Sequence, residues 1–137
     1  MSVRDVFYGS VRRALEKDGW TITHDPWQIK VAEVELLIDL GAERLIAAEK
    51  QGEKIAIEVK TFSRSSAISE FHTALGFLSY RFALEERDPE RRLFLAVPQE
   101  PYRTFFSRGF AQIMMERYQL KILVYEPVLE EIVSWKS

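Results

Sequence analysis

One short run in this sequence has residue types and spacing suited to phosphodiester chemistry. In the segment Ile57-Glu58-Val59-Lys60, alternate side chains of an extended strand share a face. Glu58 and Lys60 are therefore expected on one side and the two apolar residues on the other. A carboxylate and an ammonium group on an otherwise apolar strand are costly to bury unless they have a compensating role.

Asp39, upstream of this run, supplies a second carboxylate. A hairpin between Asp39 and Glu58 would bring the start of one strand beside the end of the next, and so bring the two residues together. Two carboxylates with water can bind Mg²⁺ or Mn²⁺, the only cofactors that the sequence suggests. The metal would lower the pKa of a bound water and polarise a phosphate oxygen, while Lys60 neutralises developing charge. Asp39, Glu58 and Lys60 are the candidate catalytic residues, with Asp39 and Glu58 as the metal ligands.

Two alternatives for these charges remain open. Glu58 and Lys60 can form the charged face of a hairpin with a cross-strand ion pair, which contributes only about 0.2–1 kcal/mol. Glu49 is either a further metal ligand or, as we favour, a surface partner of Lys50 or Lys54.

The elements that must position these residues follow from periodicity and turn signals. Gly52 favours a tight hairpin turn, because glycine adopts positive φ at low cost. We predict an α/β (α+β mixed sheet) fold, with a central sheet flanked by helices. The predicted helices are a first helix ending near Gly19, then residues 66–86 and 101–118, and the predicted strands are 20–23, 44–50, 54–62, 93–97, 121–125 and 130–135; residues 27–40 are ambiguous.

Apolar stripes on the two later helices are predicted to face the core. The stripes are Ile68, Phe71, Leu75, Leu78 and Phe82 on one helix, and Phe105, Phe106, Phe110, Ile113 and Met114 on the other.

Composition limits the possible functions. With 137 residues, 47% of them hydrophobic, the chain fits a single domain over residues 1–137. It has no cysteine, which excludes disulfides, thiolate zinc sites and cysteine nucleophiles, and its two histidines argue against a histidine-built metal centre. Neither a signal peptide nor a membrane-spanning stretch is recognisable, so we expect a cytoplasmic protein without a membrane partner.

Contact with DNA has to be local, because the formal net charge of −2 does not favour unaided binding to nucleic acid. Arg64 and Arg81 are the candidate phosphate contacts. The Arg91-Arg92 pair is another small basic cluster, for which a solvated surface is the simpler interpretation.

Beyond these short patterns, nearly the whole chain resembles the XisH family, the fdxN element excision controlling factors. The order αβββαβ with Asp39 and Glu58-Val59-Lys60 also resembles the restriction-endonuclease-like superfamily, written PD-(D/E)xK. The segments that carry the family resemblance are residues 17–26 (KDGWTITHDP), 38–43 (IDLGAE), 45–50 (LIAAEK), 54–60 (KIAIEVK), 70–76 (EFHTALG), 80–81 (YR) and 116–121 (ERYQLK).

The resemblance implies a restriction-endonuclease-like core and a role in programmed excision of a DNA element in cyanobacteria, beside a site-specific recombinase. It also implies a small protein partner, XisI, and nucleases of this kind often act as dimers, so a homodimer is a further expectation. Phe77 stands in the predicted helix 66–86, directly after a glycine, at a position where family members commonly have glutamine. Three hypotheses follow: a Mg²⁺-dependent DNA endonuclease, a non-catalytic accessory protein that binds XisI and DNA without cleavage, and a surface ion pair without function.

Overall fold

A mixed β-sheet with helices on both faces forms the framework of the protein. The computed structural model describes residues 3–24, 29–31, 34–36, 45–59 and 78–136. Within these ranges, six strands form one sheet in the order β1-β4-β5-β6-β7-β8, and β2 and β3 form a separate antiparallel hairpin. The strands are β1 (Thr21–His24), β2 (Ile29–Val31), β3 (Val34–Leu36), β4 (Leu45–Lys50), β5 (Glu53–Val59), β6 (Arg92–Pro98), β7 (Ile122–Glu126) and β8 (Glu131–Lys136). The helices are α1 (Val3–Lys17), α2 (Leu78–Arg87), the short turn α3 (Gln99–Pro101) and α4 (Gly109–Arg117), with a π-helical turn at Tyr102–Phe106.

Both parallel and antiparallel pairings occur in the large sheet. The strand β5 pairs with β4 in antiparallel and with β6 in parallel orientation, β6 and β7 are parallel, and β7 and β8 are antiparallel. Parallel neighbours need a crossover that covers a sheet face, and here helices occupy that position. The predicted mixed sheet flanked by helices is confirmed, and the predicted strands agree with the observed ones to within a few residues. The ambiguous segment 27–40 contains the β2–β3 hairpin.

The hairpin β4–β5 has the tight turn that its sequence predicts. Lys50 pairs with Glu53, which leaves Gln51 and Gly52 as a two-residue loop. Both have positive φ, 51° and 85°, as a type I′ turn requires. This turn fixes the register of the whole hairpin, and therefore the neighbours of Glu58.

One face of the sheet packs against α1. Val11, Ala14 and Leu15 recur at helical spacing and are at most 1% exposed. They contact a core that includes Ile57 and Tyr125, and the ring of Phe7 meets that of Tyr125 edge-on at 6.5 Å. We call this face, which carries Ile55, Ile57 and Val59 of β5, the α1 face.

The end of α1 is a Schellman motif, which explains the glycine after it. The amide of Trp20 donates to the carbonyl of Leu15, and the amide of Gly19 donates to that of Glu16, each at 3.0 Å. Gly19 has a φ of +91°, a conformation that other residues adopt only at a cost.

The opposite face of the sheet packs against the segment from the π-helical turn to α4, and we call it the α4 face. Its core contains the inward side chains of β6 and β7 together with aromatic residues of the turn, namely Leu95, Val97, Phe105, Phe106, Ala111, Ile122 and Val124. The prediction of one continuous helix over 101–118 is wrong, because the chain is extended at Arg108 (φ −75°, ψ 151°) and α4 starts afresh. This break changes the phase of the helix. As a result Phe105 and Phe106 are buried as predicted, whereas Phe110 and Ile113 are 51% and 58% exposed.

The helix α2 also differs from its predicted orientation. Ala83 and Leu84 are its buried residues, and Phe82, assigned to the inward stripe, is 56% exposed. The rest of that stripe lies outside the residues with described side chains. Across all the described ranges, no helix is both long and apolar enough to span a membrane.

Candidate functional site

Glu58 occupies a central strand and lies near its end. On one side it is in register with Leu45, the first residue of β4, and on the other with Leu95 of β6. The hairpin therefore brings the start of one strand beside the end of the next, as predicted. The chain enters β4 beside Glu58, after the segment that contains Asp39.

The faces of β5 divide as the alternation predicts. Ile57 and Val59 belong to the core of the α1 face, whereas Glu58 shares the α4 face with Leu95. Glu58 is nevertheless 0% exposed. A charged residue on a half-exposed hairpin would keep contact with water, so the interpretation of Glu58 as part of an exposed ion pair is wrong.

Full burial makes the Glu58 carboxylate the chemically unusual group of the sheet. An ionised carboxylate loses its hydration on burial, which costs several kcal/mol unless a cation, a proton or hydrogen-bond donors compensate. Ala56 and Ile57, the two residues before Glu58 on β5, are apolar and also 0% exposed. Such a group suits a divalent cation, whose oxygen ligands are held by protein and partly shielded from bulk water.

The other candidate ligands and bases are placed differently. Asp39, Lys60 and Arg64 lie outside the described residues, so their positions relative to Glu58 stay predictions. Among the residues that the structure does describe, no three acidic or histidine side chains form a group that could hold a metal ion. A cation at Glu58 would therefore need a ligand such as Asp39.

Glu49 can be removed from the list of ligands for this site. It lies opposite Lys54, four positions along β4 from the residue that faces Glu58. At about 3.4 Å per residue, this places the two glutamates roughly 14 Å apart along the strand direction. The interpretation of Glu49 as a surface residue beside Lys54 agrees with this register.

Arg81, one of the two candidate DNA contacts, has a structural role. Its Nη1 donates to the carbonyl of Tyr118 at 2.7 Å and to that of Gln119 at 3.3 Å. These carbonyls end α4, so the guanidinium joins α2 to the C-terminal end of α4, where the helix dipole favours a cation. Arg81 also lines a cavity of about 300 Å³ together with Arg92 and Lys121.

Arg91 is a buried structural residue that was not predicted from the sequence. It was grouped with Arg92 as a surface cluster, yet it is only 8% exposed. Its Nη1 donates to the carbonyl of Ile55 at 3.0 Å, and its Nε donates to the carboxylate of Asp88 at 3.1 Å. Arg91 therefore attaches the start of β6 to the middle of β5. The spacing of three residues between Asp88 and Arg91 was the sequence signal that could have predicted this ion pair.

These features define a class of protein: an α/β domain with a mixed sheet, helices on both faces and an acidic residue buried in a central strand. The chain belongs to the XisH family, whose model, described as XisH protein, matches residues 1–133.

Two solved structures are similar over almost their whole length. An XisH family protein from Nostoc punctiforme PCC 73102 is 54% identical, with 97% of this chain and 100% of that chain covered and a TM-score of 0.89. An fdxN element excision controlling factor protein from Anabaena variabilis is 51% identical, with 97% and 99% covered and a TM-score of 0.90. No curated protein matches the chain.

Proposed function

We propose that this protein is an excision controlling factor that acts with a recombinase in the site-specific excision of a DNA element. The name of its relative from Anabaena variabilis supports this role. We further propose that Glu58, with Asp39 and Lys60, binds Mg²⁺ or Mn²⁺ and cleaves DNA. The complete burial of Glu58 in a central strand is the observation that carries this second proposal.

The chemistry of the site assigns a different task to each residue. Glu58 and Asp39 would hold the cation through carboxylate oxygens, and the bound metal supplies an activated water and charge neutralisation at phosphate. Glu58 lies on a strand with partners on both sides, so its backbone is held rigidly. Lys60, two positions after Glu58 in the sequence, would offset charge that develops on the phosphate.

A cleavage assay with a matched control tests the enzyme hypothesis. Purified protein, alone and with an XisI-like partner, is incubated with supercoiled, linear and branched DNA in Mg²⁺ or Mn²⁺. We expect nicking that is lost in Glu58→Gln and Lys60→Ala but retained in Glu49→Gln. Glu49 is the matched control because it is a partly exposed glutamate of the same hairpin, on the neighbouring strand and roughly 14 Å from Glu58 along the strand direction.

Two results would refute the enzyme hypothesis: absence of cleavage of every DNA form with the partner present, or equal cleavage by wild type and Glu58→Gln. The second candidate function is a non-catalytic accessory protein that binds DNA and the partner. It is favoured by the net charge of −2, which suits DNA contact that is assisted by a partner. It predicts that Glu58→Gln leaves excision intact in a reconstituted reaction.

DNA contact is proposed for the cationic side chains around the cavity that Arg81, Arg92 and Lys121 line. Local positive charge is needed because the net charge of the chain is −2. Arg81→Gln would also disturb the end of α4, so Lys121→Gln is the better test. We expect weaker DNA binding and a smaller salt dependence, with Lys54→Gln as the control. Equal losses from both variants would refute this location.

A further inference from the structure

The strand β8 forms one edge of the large sheet. In the described part of the chain it pairs on one side only, with β7. An edge strand presents backbone N–H and C=O groups that can pair with another chain, and proteins usually protect such edges. Val133 in this strand is 46% exposed, so an apolar side chain adds to the available surface.

A β-bulge sets the faces of β8. Ser134 pairs with Val124 and Ile132 pairs with Tyr125, so Val133 is an extra residue between two consecutive pairs. Without a bulge, residues five apart on a strand point to opposite faces. The extra residue restores them to the same face.

The result is that the two residues at each end of β8 have the same face pattern when the strand is read in either direction. Ile132 and Trp135 both pack against the core of the α1 face. Glu131 and Lys136 both lie on the α4 face, in register with Glu126 and Ile122 respectively. The midpoint of this pattern falls between Val133 and Ser134.

We propose that two copies of this chain associate through β8, antiparallel, about a two-fold axis between Val133 and Ser134. In this register Glu131 of each copy lies opposite Lys136 of the other, and Ile132 lies opposite Trp135. Both charged side chains are exposed in the single chain. The pairing is isologous, as the commonest oligomers are, and joins two sheets into one.

Charge complementarity identifies a second copy as the occupant of this edge. The same strand carries the acid at one end and the base at the other, at equal distances from its midpoint. An antiparallel copy therefore places opposite charges together twice, and opposite charges directly across a strand pair are stabilising. In a parallel arrangement the same residues would place like charges together.

The neighbouring turn holds β8 in position for this contact. The hydroxyl of Ser10 donates to the carbonyl of Pro127 at 2.9 Å, and Nζ of Lys17 donates to the carbonyl of Leu129 at 2.8 Å. A salt bridge between Arg13 and Glu130 adds a third attachment to α1. The edge is thus presented by a fixed backbone, which lowers the ordering cost of association.

Analytical ultracentrifugation of the full chain over a range of concentrations tests the proposal in the absence of DNA. We expect a wild-type dimer whose dissociation constant rises roughly tenfold or more in Glu131→Lys and in Lys136→Glu, because each variant replaces two attractive pairs with two repulsive ones. An equimolar mixture of the two variants should recover wild-type association as a heterodimer. Glu116→Lys, an exposed charge reversal on α4, is the control.

Three results would overturn the proposal. Wild-type protein that stays monomeric up to about 1 mM would exclude a useful interface. A dimer that tolerates both single variants would use another surface. A mixture that fails to associate, although each variant retains a native circular dichroism spectrum, would exclude the register. The strand β8 is three strands away from β5, so none of these results depends on catalysis at Glu58.

Discussion

Tyr125 offers a test of the packing on the α1 face. Its side chain is 0% exposed on β7, with the ring of Phe7 against it. The phenol oxygen has no hydrogen-bond partner among the described residues. A buried hydroxyl without a partner costs about 1–3 kcal/mol of desolvation. Replacement of Tyr125 by Phe removes the oxygen and keeps the ring.

The expected gain is smaller than that cost, because the missing oxygen leaves a small gap in the core and loses some packing contacts. We therefore expect Tyr125→Phe to raise the free energy of unfolding by about 1 kcal/mol near pH 7. For a chain of this length, such a gain raises the melting temperature by about 4 °C. Chemical denaturation followed by circular dichroism measures the change, and the slope m should stay constant.

Alkaline pH should enlarge the difference between the two proteins. Burial raises the pKa of Tyr125, so the folded state keeps the phenol neutral at a pH where the unfolded chain ionises it. The unfolded state then binds fewer protons than the folded state, and stability falls as the pH rises above the ordinary tyrosine pKa of about 10. At pH 11 this adds about 1.4 kcal/mol to the advantage of Tyr125→Phe.

The control is Tyr118→Phe, because that side chain is 44% exposed and should change stability by less than about 0.5 kcal/mol at pH 7. A clear loss of stability in Tyr125→Phe would show that the phenol oxygen is well bonded and refute the reasoning. So would a difference between wild type and Tyr125→Phe that stays constant from pH 7 to pH 11.

Three other changes test separate parts of the structure. At a Mn²⁺ concentration one hundred times its dissociation constant, the free energy of unfolding of the wild type should rise by about 2.7 kcal/mol, whereas that of Glu58→Gln should not change. A series of thermal shift measurements tests this, and a wild type that Mn²⁺ does not stabilise would refute the metal site. Gln119→Gly should raise the free energy of unfolding by up to about 1 kcal/mol in a denaturant titration, because residue 119, at the end of α4, has a φ of 53°. A loss of stability would show that the side chain of Gln119 matters more than its backbone conformation. The salt bridge with Arg13 lowers the pKa of Glu130. The stabilising effect of this salt bridge should therefore be present at neutral pH and disappear as the pH falls below the usual glutamate range. Glu130→Gln should make the unfolding midpoint less sensitive to acid than that of the wild type, and equal sensitivity of the two proteins would contradict this.

The sequence predicted the hairpin and the sheet well because their signals are local. Gly52 adopts positive φ at low cost, and the alternation of β5 assigns Ile57 and Glu58 to opposite faces. A two-residue turn then fixes every pair along the hairpin. The buried strand β6 was predicted equally well, because the apolar run between Arg92 and Pro98 is itself a local signal.

The helices on the α4 face could not be predicted from a periodic pattern alone. The extended backbone at Arg108 resets the helical phase, and no proline or glycine lies between Pro101 and Arg108 to predict the break. Phe110 was therefore assigned to the core, and Phe82 of α2 was assigned there from its own apolar stripe, although both are more than half exposed. Which face of a short helix is buried depends on the sheet against which it packs, and that information is not local.

Burial of charge is the property that alternation cannot predict. It separates Arg91 from Arg92 at the start of β6, and it separates the glutamates of the hairpin. Glu49 and Glu58 are on neighbouring strands, yet Glu49 is partly exposed and Glu58 is fully buried. Glu58 lies in register with Leu45 and Leu95 of the two flanking strands, away from the turn, whereas Glu49 lies one residue before the end of β4 at the exposed turn. A protein stabilised by only about 5–15 kcal/mol rarely keeps a carboxylate in such a place without a compensating partner. For that reason we base the functional proposal on Glu58.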